Sequence, residues 1–248
     1  MKYMGSKNRI AKEILPIMLK EANEKGITTW VEPMVGGGNL IDKVPDTFKR
    51  IGFDLNPHVI FAMIDIRDNI NELPESVSED IYKSYKGLPA QKINSWVRFV
   101  CSFGGKFENG YAREKRSDDS TFAGYGKRNA LKQKQSIQGV EFICDSFENI
   151  DVSNTLIYCD PPYKGTTSYK TNPFPYDVFY DWCIKMKDKG NVVFVSEYAM
   201  PDEFEEVWRG EIKTNFASSR TKATHNAIEK LFICNPNQNE TFNENLEF

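Results

Sequence analysis

The tetrapeptide Asp160-Pro161-Pro162-Tyr163, directly after the apolar run Leu156–Cys159, carries the strongest chemical signal in the chain. Two prolines fix the backbone and withhold two N–H donors, which leaves carbonyl acceptors held in place. Asp160 and the Pro161 carbonyl can then accept together from one donor-rich group, and an exocyclic amine such as N6 of adenine is such a group. Tyr163 offers a flat face on which a base can stack, worth roughly 1–3 kcal/mol. A lone Asp-Pro pair would mark only a strand-end turn. The full tetrapeptide says more, because open α/β sheets bind ligands outside the carboxyl ends of their strands.

A second cluster, Glu32-Pro33-Met34-Val35-Gly36-Gly37-Gly38, follows the first predicted core strand. Glycines there let the backbone approach a ligand closely, as nucleotide-binding turns do. The full dinucleotide pattern fails, because Ile41 stands at its third glycine position. Asp54 ends the next strand, 16 residues beyond Gly38, close to where a carboxylate takes ribose hydroxyls. Asn56 is better placed than Asp54 to cap the helix that follows. Together these residues indicate a nucleoside ligand without a pyrophosphate clamp. Lys2-Tyr3-Met4-Gly5-Ser6-Lys7 combines an aromatic ring, a flexible turn and two cations ahead of a helix, a sensible lid over such a ligand. An exposed basic N-terminus is the commoner meaning of such a run.

The elements that position these groups alternate short apolar strands with helical patterns, the mark of an α/β chain with a mostly parallel sheet. Strands are predicted at Thr28–Pro33, Arg50–Asp54, Val140–Cys144, Leu156–Cys159, Asn191–Val195, Glu211–Phe216 and Leu231–Cys234. Helices are predicted from Lys7 to Glu24 with Ser6 as cap, from Asn56-Pro57 to about Asn71, and from Tyr176 to Lys189. A loop and short helix are expected around Met200-Pro201. The segment 61–138 breaks the rhythm and reads as an insertion. The frame is then 1–60 with 139–235, and 236–248 is a loose tail.

Composition agrees with a globular chain: 248 residues, 40% apolar and 27% charged. That excludes collagen-like and wholly disordered classes. No run approaches the ~18 apolar residues of a membrane helix, and the N-terminus lacks a secretory core, so no membrane partner is expected. Five cysteines without a C-x-x-C pair, three of them in apolar runs, point to free thiols in a reducing cytoplasm. Two distant histidines, His58 and His225, give a zinc site little to draw on, and no metal is expected. The net charge of −3 by itself argues against a nucleic-acid partner. Divided along the chain it argues the other way. Ile81 to Gln138 holds 12 Lys/Arg against four acids, a net of +8, while the remainder carries −11. A basic block in an acidic frame suits a polyanion, although a solvated basic face has the same signature.

Taken in order, KYMGSK, EPMVGGG, GFDLN and DPPY resemble the Dam-like family of DNA N6-adenine methyltransferases over the frame, about residues 1–60 and 139–235. The resemblance implies a Rossmann-like methyltransferase sheet with an inserted target-recognition domain, an S-adenosyl-methionine donor, and double-stranded DNA as partner. It implies donor contacts from Tyr3, Lys7, Gly36, Gly38 and Asp54, with Glu32, Pro33, Asp145 and Asp160 as further candidates. Asp160, Pro161 and Tyr163 become the catalytic set, acting on an adenine flipped out of the duplex. Lys2, Arg98, Lys106, Arg113, Lys127 and Arg128 are candidate DNA contacts. Phe103, Phe107 and Tyr111 belong either to base reading or to the insertion's own core. No obligate protein partner is expected. Methylation of cytosine N4 and a catalytically silent DNA-binding module are the alternatives; resembling N4 enzymes tend to carry Ser where Asp160 stands.

Overall fold

The computed structural model describes residues 1–113, 121–164, 174–215 and 224–235. Its elements run α1 (Ala11–Glu24), β1 (Thr29–Glu32), β2 (Lys49–Asp54), α2 (Pro57–Asp68), α3 (Glu79–Tyr85), α4 (Asn94–Val100) and α5 (Phe122–Ser136). They continue with β3 (Glu141–Cys144), β4 (Leu156–Cys159), α6 (Tyr176–Asp188), β5 (Val192–Ser196), β6 (Phe204–Asn215) and β7 (Thr224–Cys234). The strands form one seven-stranded sheet in the order β3-β2-β1-β4-β5-β7-β6. Pairing is parallel for β2 with β3, β1 with β4 and β4 with β5, while β7 runs antiparallel to both β5 and β6. This is the mixed α/β sheet the sequence calls for.

Contacts divide the chain into two compact units, residues 1–15 with 32–149 and residues 16–31 with 150–248. In the first, Asn56 caps α2, its side-chain oxygen accepting from the His58 N–H at 3.0 Å, and Pro57 fills the first helical position. The helix buries Val59, Ile60, Ala62, Met63 and Ile66, then stops at Asp68 and passes into a short 3-10 turn, Ile70–Glu72. The expected helix from Lys7 is likewise broken. Ser6 caps a 3-10 turn, Lys7–Arg9, and regular helix begins only at Ala11. Within the atypical segment 61–138, the described residues contribute α3, α4 and α5 to this unit. Ser78 and Thr121 cap α3 and α5 by accepting from Ile81 and Gly124 N–H groups. Trp96, Val97, Phe99 and Val100 bury one another's neighbourhood on α4, each such side chain worth about 1.5–3 kcal/mol when removed from water.

The second unit is built on β4 and β5, buried at every residue, as parallel strands covered on both faces must be. The one hydroxyl pair this buries is satisfied internally, Tyr158 with Ser196 at 2.8 Å. α6 turns Phe179, Trp182, Cys183 and Met186 inward at helical spacing, and the Trp182 indole donates to the Ile150 carbonyl at 3.2 Å. The short helix expected after Pro201 is absent. Phe204 instead opens β6, which pairs with β7 from Phe204↔Cys234 to Asn215↔Thr224, with a bulge at Glu206/Trp208. The long antiparallel ladder pairs the backbone groups of β6 that face β7, which outweighs any local helical preference. The strands expected at Glu211–Phe216 and Leu231–Cys234 are therefore the far ends of longer ones. Phe216 and the tail 236–248 lie outside the described residues. Cys101, Cys159, Cys183 and Cys234 are buried free thiols, and Cys144 is exposed. Among the described residues no helix is long and apolar enough to cross a membrane.

Candidate active site

The glycine turn after β1 and the end of β2 form one assembly within the first unit. Gly36 and Gly38 adopt φ of +49° and +63°, values costly for any residue with a Cβ. The Val35 N–H donates to the Phe53 carbonyl at 2.8 Å, and the Gly36 N–H donates to Asp54 Oδ2 at 3.1 Å. Asp54 Oδ1 accepts from the Asn56 N–H at 2.9 Å. Burial pushes the Asp54 carboxyl up to about 6, against the opposing pull of these two backbone donors. Asp54 thus ties the turn to β2, and its remaining lone pairs are the acceptors a ribose diol needs.

The turn differs from expectation in what the glycines make room for. A Cβ on Gly36 would lie 2.9 Å from Tyr3 Cε1, and one on Gly37 would lie 2.6 Å from Tyr3 Cβ. The space is taken by Tyr3 of the N-terminal run, so this residue packs on the turn and, 5.6 Å ring to ring, on Phe99 of α4. Lys7, Glu32 and Pro33 are buried, while Leu55, next to Asp54, is 74% exposed. Asp145 accepts from the Ser146 N–H and the Asn149 amide, each at 2.7 Å, which fixes the loop after β3. The sequence did not single out Gln133 of α5. Its amide nitrogen donates to the carbonyls of Gly37 and Gly38 at 3.1 and 3.0 Å and to Asp42 Oδ2 at 3.0 Å.

The second unit carries the Asp-Pro-Pro-Tyr group. Asp160 is half-buried at the end of the fully buried β4, and Pro161 is buried. The Tyr163 hydroxyl donates to Glu229 Oε2 at 2.5 Å, and its ring meets Tyr198 edge-on at 4.5 Å. Burial first, and then the negative charge of Asp160, push its hydroxyl well above the usual phenol range, so it stays protonated. The Tyr176 hydroxyl donates to the Pro162 carbonyl at 2.6 Å. Buried Glu197 accepts from the Lys164 and Tyr198 N–H groups at 3.1 and 2.8 Å. Glu229, Tyr176 and Glu197 carry no motif, and only the folded chain brings them to the tetrapeptide.

The basic segment sorts its cations. Arg98, expected as a DNA contact, is only 2% exposed and serves the interior instead. It donates to Glu108 Oε1 at 2.9 Å and to the Leu88 carbonyl at 2.7 Å, faces His58, and lies 4.5 Å from the Phe107 ring. A guanidinium so enclosed must be paired, and it is spent there. Lys106 and Arg128 are exposed, and exposed Arg113 forks onto Glu79 at 2.6 and 2.8 Å. Lys127 reaches Asn71 and Glu75, and Lys2 lies over the Phe122 ring. Phe107 joins the interior with Phe99 and His58, Tyr111 pairs with Tyr82, and Phe103 stands 68% exposed.

The described residues thus show a mostly parallel sheet with one reversed strand, a glycine turn gripped by a carboxylate, and an Asp-Pro-Pro-Tyr strand end. Residues 3–94 match the model described as D12 class N6 adenine-specific DNA methyltransferase. It is similar to the type II methyltransferase M.MjaIII of Methanocaldococcus jannaschii, 23% identical over 73% of this chain and 74% of that protein. It is also similar to the type II methyltransferase M.FokI of Planomicrobium okeanokoites, 25% identical over 66% of this chain but only 29% of that protein. Among solved structures, the rRNA methyltransferase aviRa of Streptomyces viridochromogenes matches at a TM-score of 0.46 and 12% identity, covering 94% of this chain and 86% of that one.

Proposed function

We propose that the chain transfers a methyl group to N6 of an adenine flipped out of double-stranded DNA, with the glycine turn and Asp54 taking the donor and Asp160 the base amine. The observation that carries this reading is Asp160 with Pro161 at the end of β4. β1 and β4 pair in parallel, Trp30 opposite Leu156, so the chain leaves both strands at the same end. Open α/β sheets use that end for ligands.

S-adenosyl-methionine, when bound, supplies an electrophilic methyl on its sulfonium. The residues present suit it: Asp54 for ribose hydroxyls, exposed Leu55 for an apolar ring face, and the turn of Gly36 and Gly38 held against Tyr3. The exocyclic amine is a poor nucleophile because its lone pair is delocalised into the ring. Asp160 and the Pro161 carbonyl accept its two hydrogens, favour the tetrahedral nitrogen and stabilise the positive charge that grows there. Holding both reactants in line supplies much of the rest. Tyr163, aimed by Glu229, stacks on the extruded base and offsets part of the few kcal/mol that unstacking costs. Exposed Lys106, Arg113 and Arg128 hold the duplex through its phosphates.

Incubating the chain with labelled S-adenosyl-methionine and double-stranded DNA, then separating the bases, tests this directly. Label in N6-methyladenine is the expected result. Label in N4-methylcytosine, or none, overturns the reading.

A further inference from the structure

We propose that Gln133 is a positioning residue for the donor turn, and that through it α5 couples the hold on DNA to the affinity for the methyl donor. The proposal rests on the function read above. Gln133 is 7% exposed and both ends of its amide are used. The nitrogen faces the carbonyls of Gly37 and Gly38 and the Asp42 carboxylate, while Oε1 accepts from the Met1 ammonium. With three oxygens around the nitrogen, the amide has one possible orientation.

The same helix carries Arg128, about one and a half turns earlier, which the function assigns to a phosphate. A helix of this length moves as a body. Any shift of α5 on taking up DNA reaches the Gly37 and Gly38 carbonyls through one rigid amide. A second link runs in the same direction, since Phe99 of α4 packs on Tyr3, which covers Gly36 and Gly37. Coupling of this kind is reciprocal: DNA must raise donor affinity by the factor by which the donor raises DNA affinity.

The experiment measures donor affinity by calorimetry with and without DNA, on the native chain and on Gln133→Met. Methionine keeps the length and apolar stem but cannot donate. The native chain should bind the donor more tightly with DNA present, by about fivefold or more. In Gln133→Met, donor affinity should fall about tenfold and the DNA effect should vanish, while DNA affinity without donor stays native. A native chain that binds donor but shows no DNA effect overturns the proposal, and so does a variant that keeps the full effect. A native chain that binds no donor instead overturns the function on which it rests. Should Gln133→Met not fold, hydrogen exchange on the native chain decides. Donor must slow exchange around Gln133 together with the turn, and protection confined to the turn contradicts the proposal.

Discussion

The glycine turn, proposed as the donor side, and the Asp-Pro-Pro-Tyr group, proposed as the base side, are built by different means. Around Gly36–Gly38 the structure is mostly backbone: a carboxylate and an amide hold peptide groups of a turn that only glycine fits. Around Asp160–Tyr163 it is mostly side chain: one tyrosine hydroxyl on a glutamate, another on a proline carbonyl, a buried glutamate on two backbone donors. A backbone cradle tolerates little change in shape. A side-chain scaffold can lose one member and keep its fold. Substitutions should therefore act on donor affinity in the first unit and on the transfer step in the second.

The sharpest way to break that division is Tyr163→Ala, which removes the stacking face. Single-turnover transfer should fall ten- to a hundredfold, roughly the 1–3 kcal/mol of one stacked base, with donor affinity unmoved in calorimetry. A matching loss of donor affinity would merge the two sides.

The donor side should answer to pH through Asp54, whose carboxyl sits near 6. Ribose hydroxyls donate to the ionised form, so donor affinity should rise with pH through about 6 and fall about tenfold per unit below it. Stability runs the opposite way. The folded chain prefers the protonated acid more than the unfolded chain does, so its unfolding free energy should grow as pH drops from above 6 towards 4. Asp54→Asn should flatten both profiles, measured by binding titrations and thermal melts.

A smaller effect is expected from Glu229→Ala, which leaves the Tyr163 hydroxyl without its acceptor. Transfer should slow by about tenfold or less, and donor binding should not change. Smallest is the response of the basic segment. Arg128→Ala should lower the slope of log affinity for DNA against log salt by about 1, since each phosphate contact contributes roughly 0.9. Arg113→Ala should lower it less, because Glu79 already occupies that guanidinium.

The two sides also differ in how far the sequence reveals them. The tetrapeptide, the glycine turn, Asp54 and the Asn56 cap are local patterns whose chemistry is complete within a few residues. Gln133 meets Gly37 across 96 positions and Glu229 meets Tyr163 across 66, and no spacing rule announces either contact. Arg98 looks like its exposed neighbours in sequence. Only the packing of Phe107, Leu88 and Glu108 turns it inward. β6 is half visible for a related reason: its first half, from Phe204↔Cys234 to Arg209↔Lys230, gains a ladder from a distant partner strand, which local preference does not register. The sheet class was legible, because short apolar runs alternating with helices indicate a mostly parallel sheet, while the strand order carries no local signal.

The central claim is that the Asp160 carboxylate acts on the amine and not on the donor. Single-turnover transfer to DNA by Asp160→Ala, with donor occupancy measured in the same samples, tests it most directly. Near-native donor occupancy is expected, with transfer slowed by about a hundred- to a thousandfold. Transfer at the native rate, or occupancy lost together with transfer, would contradict it.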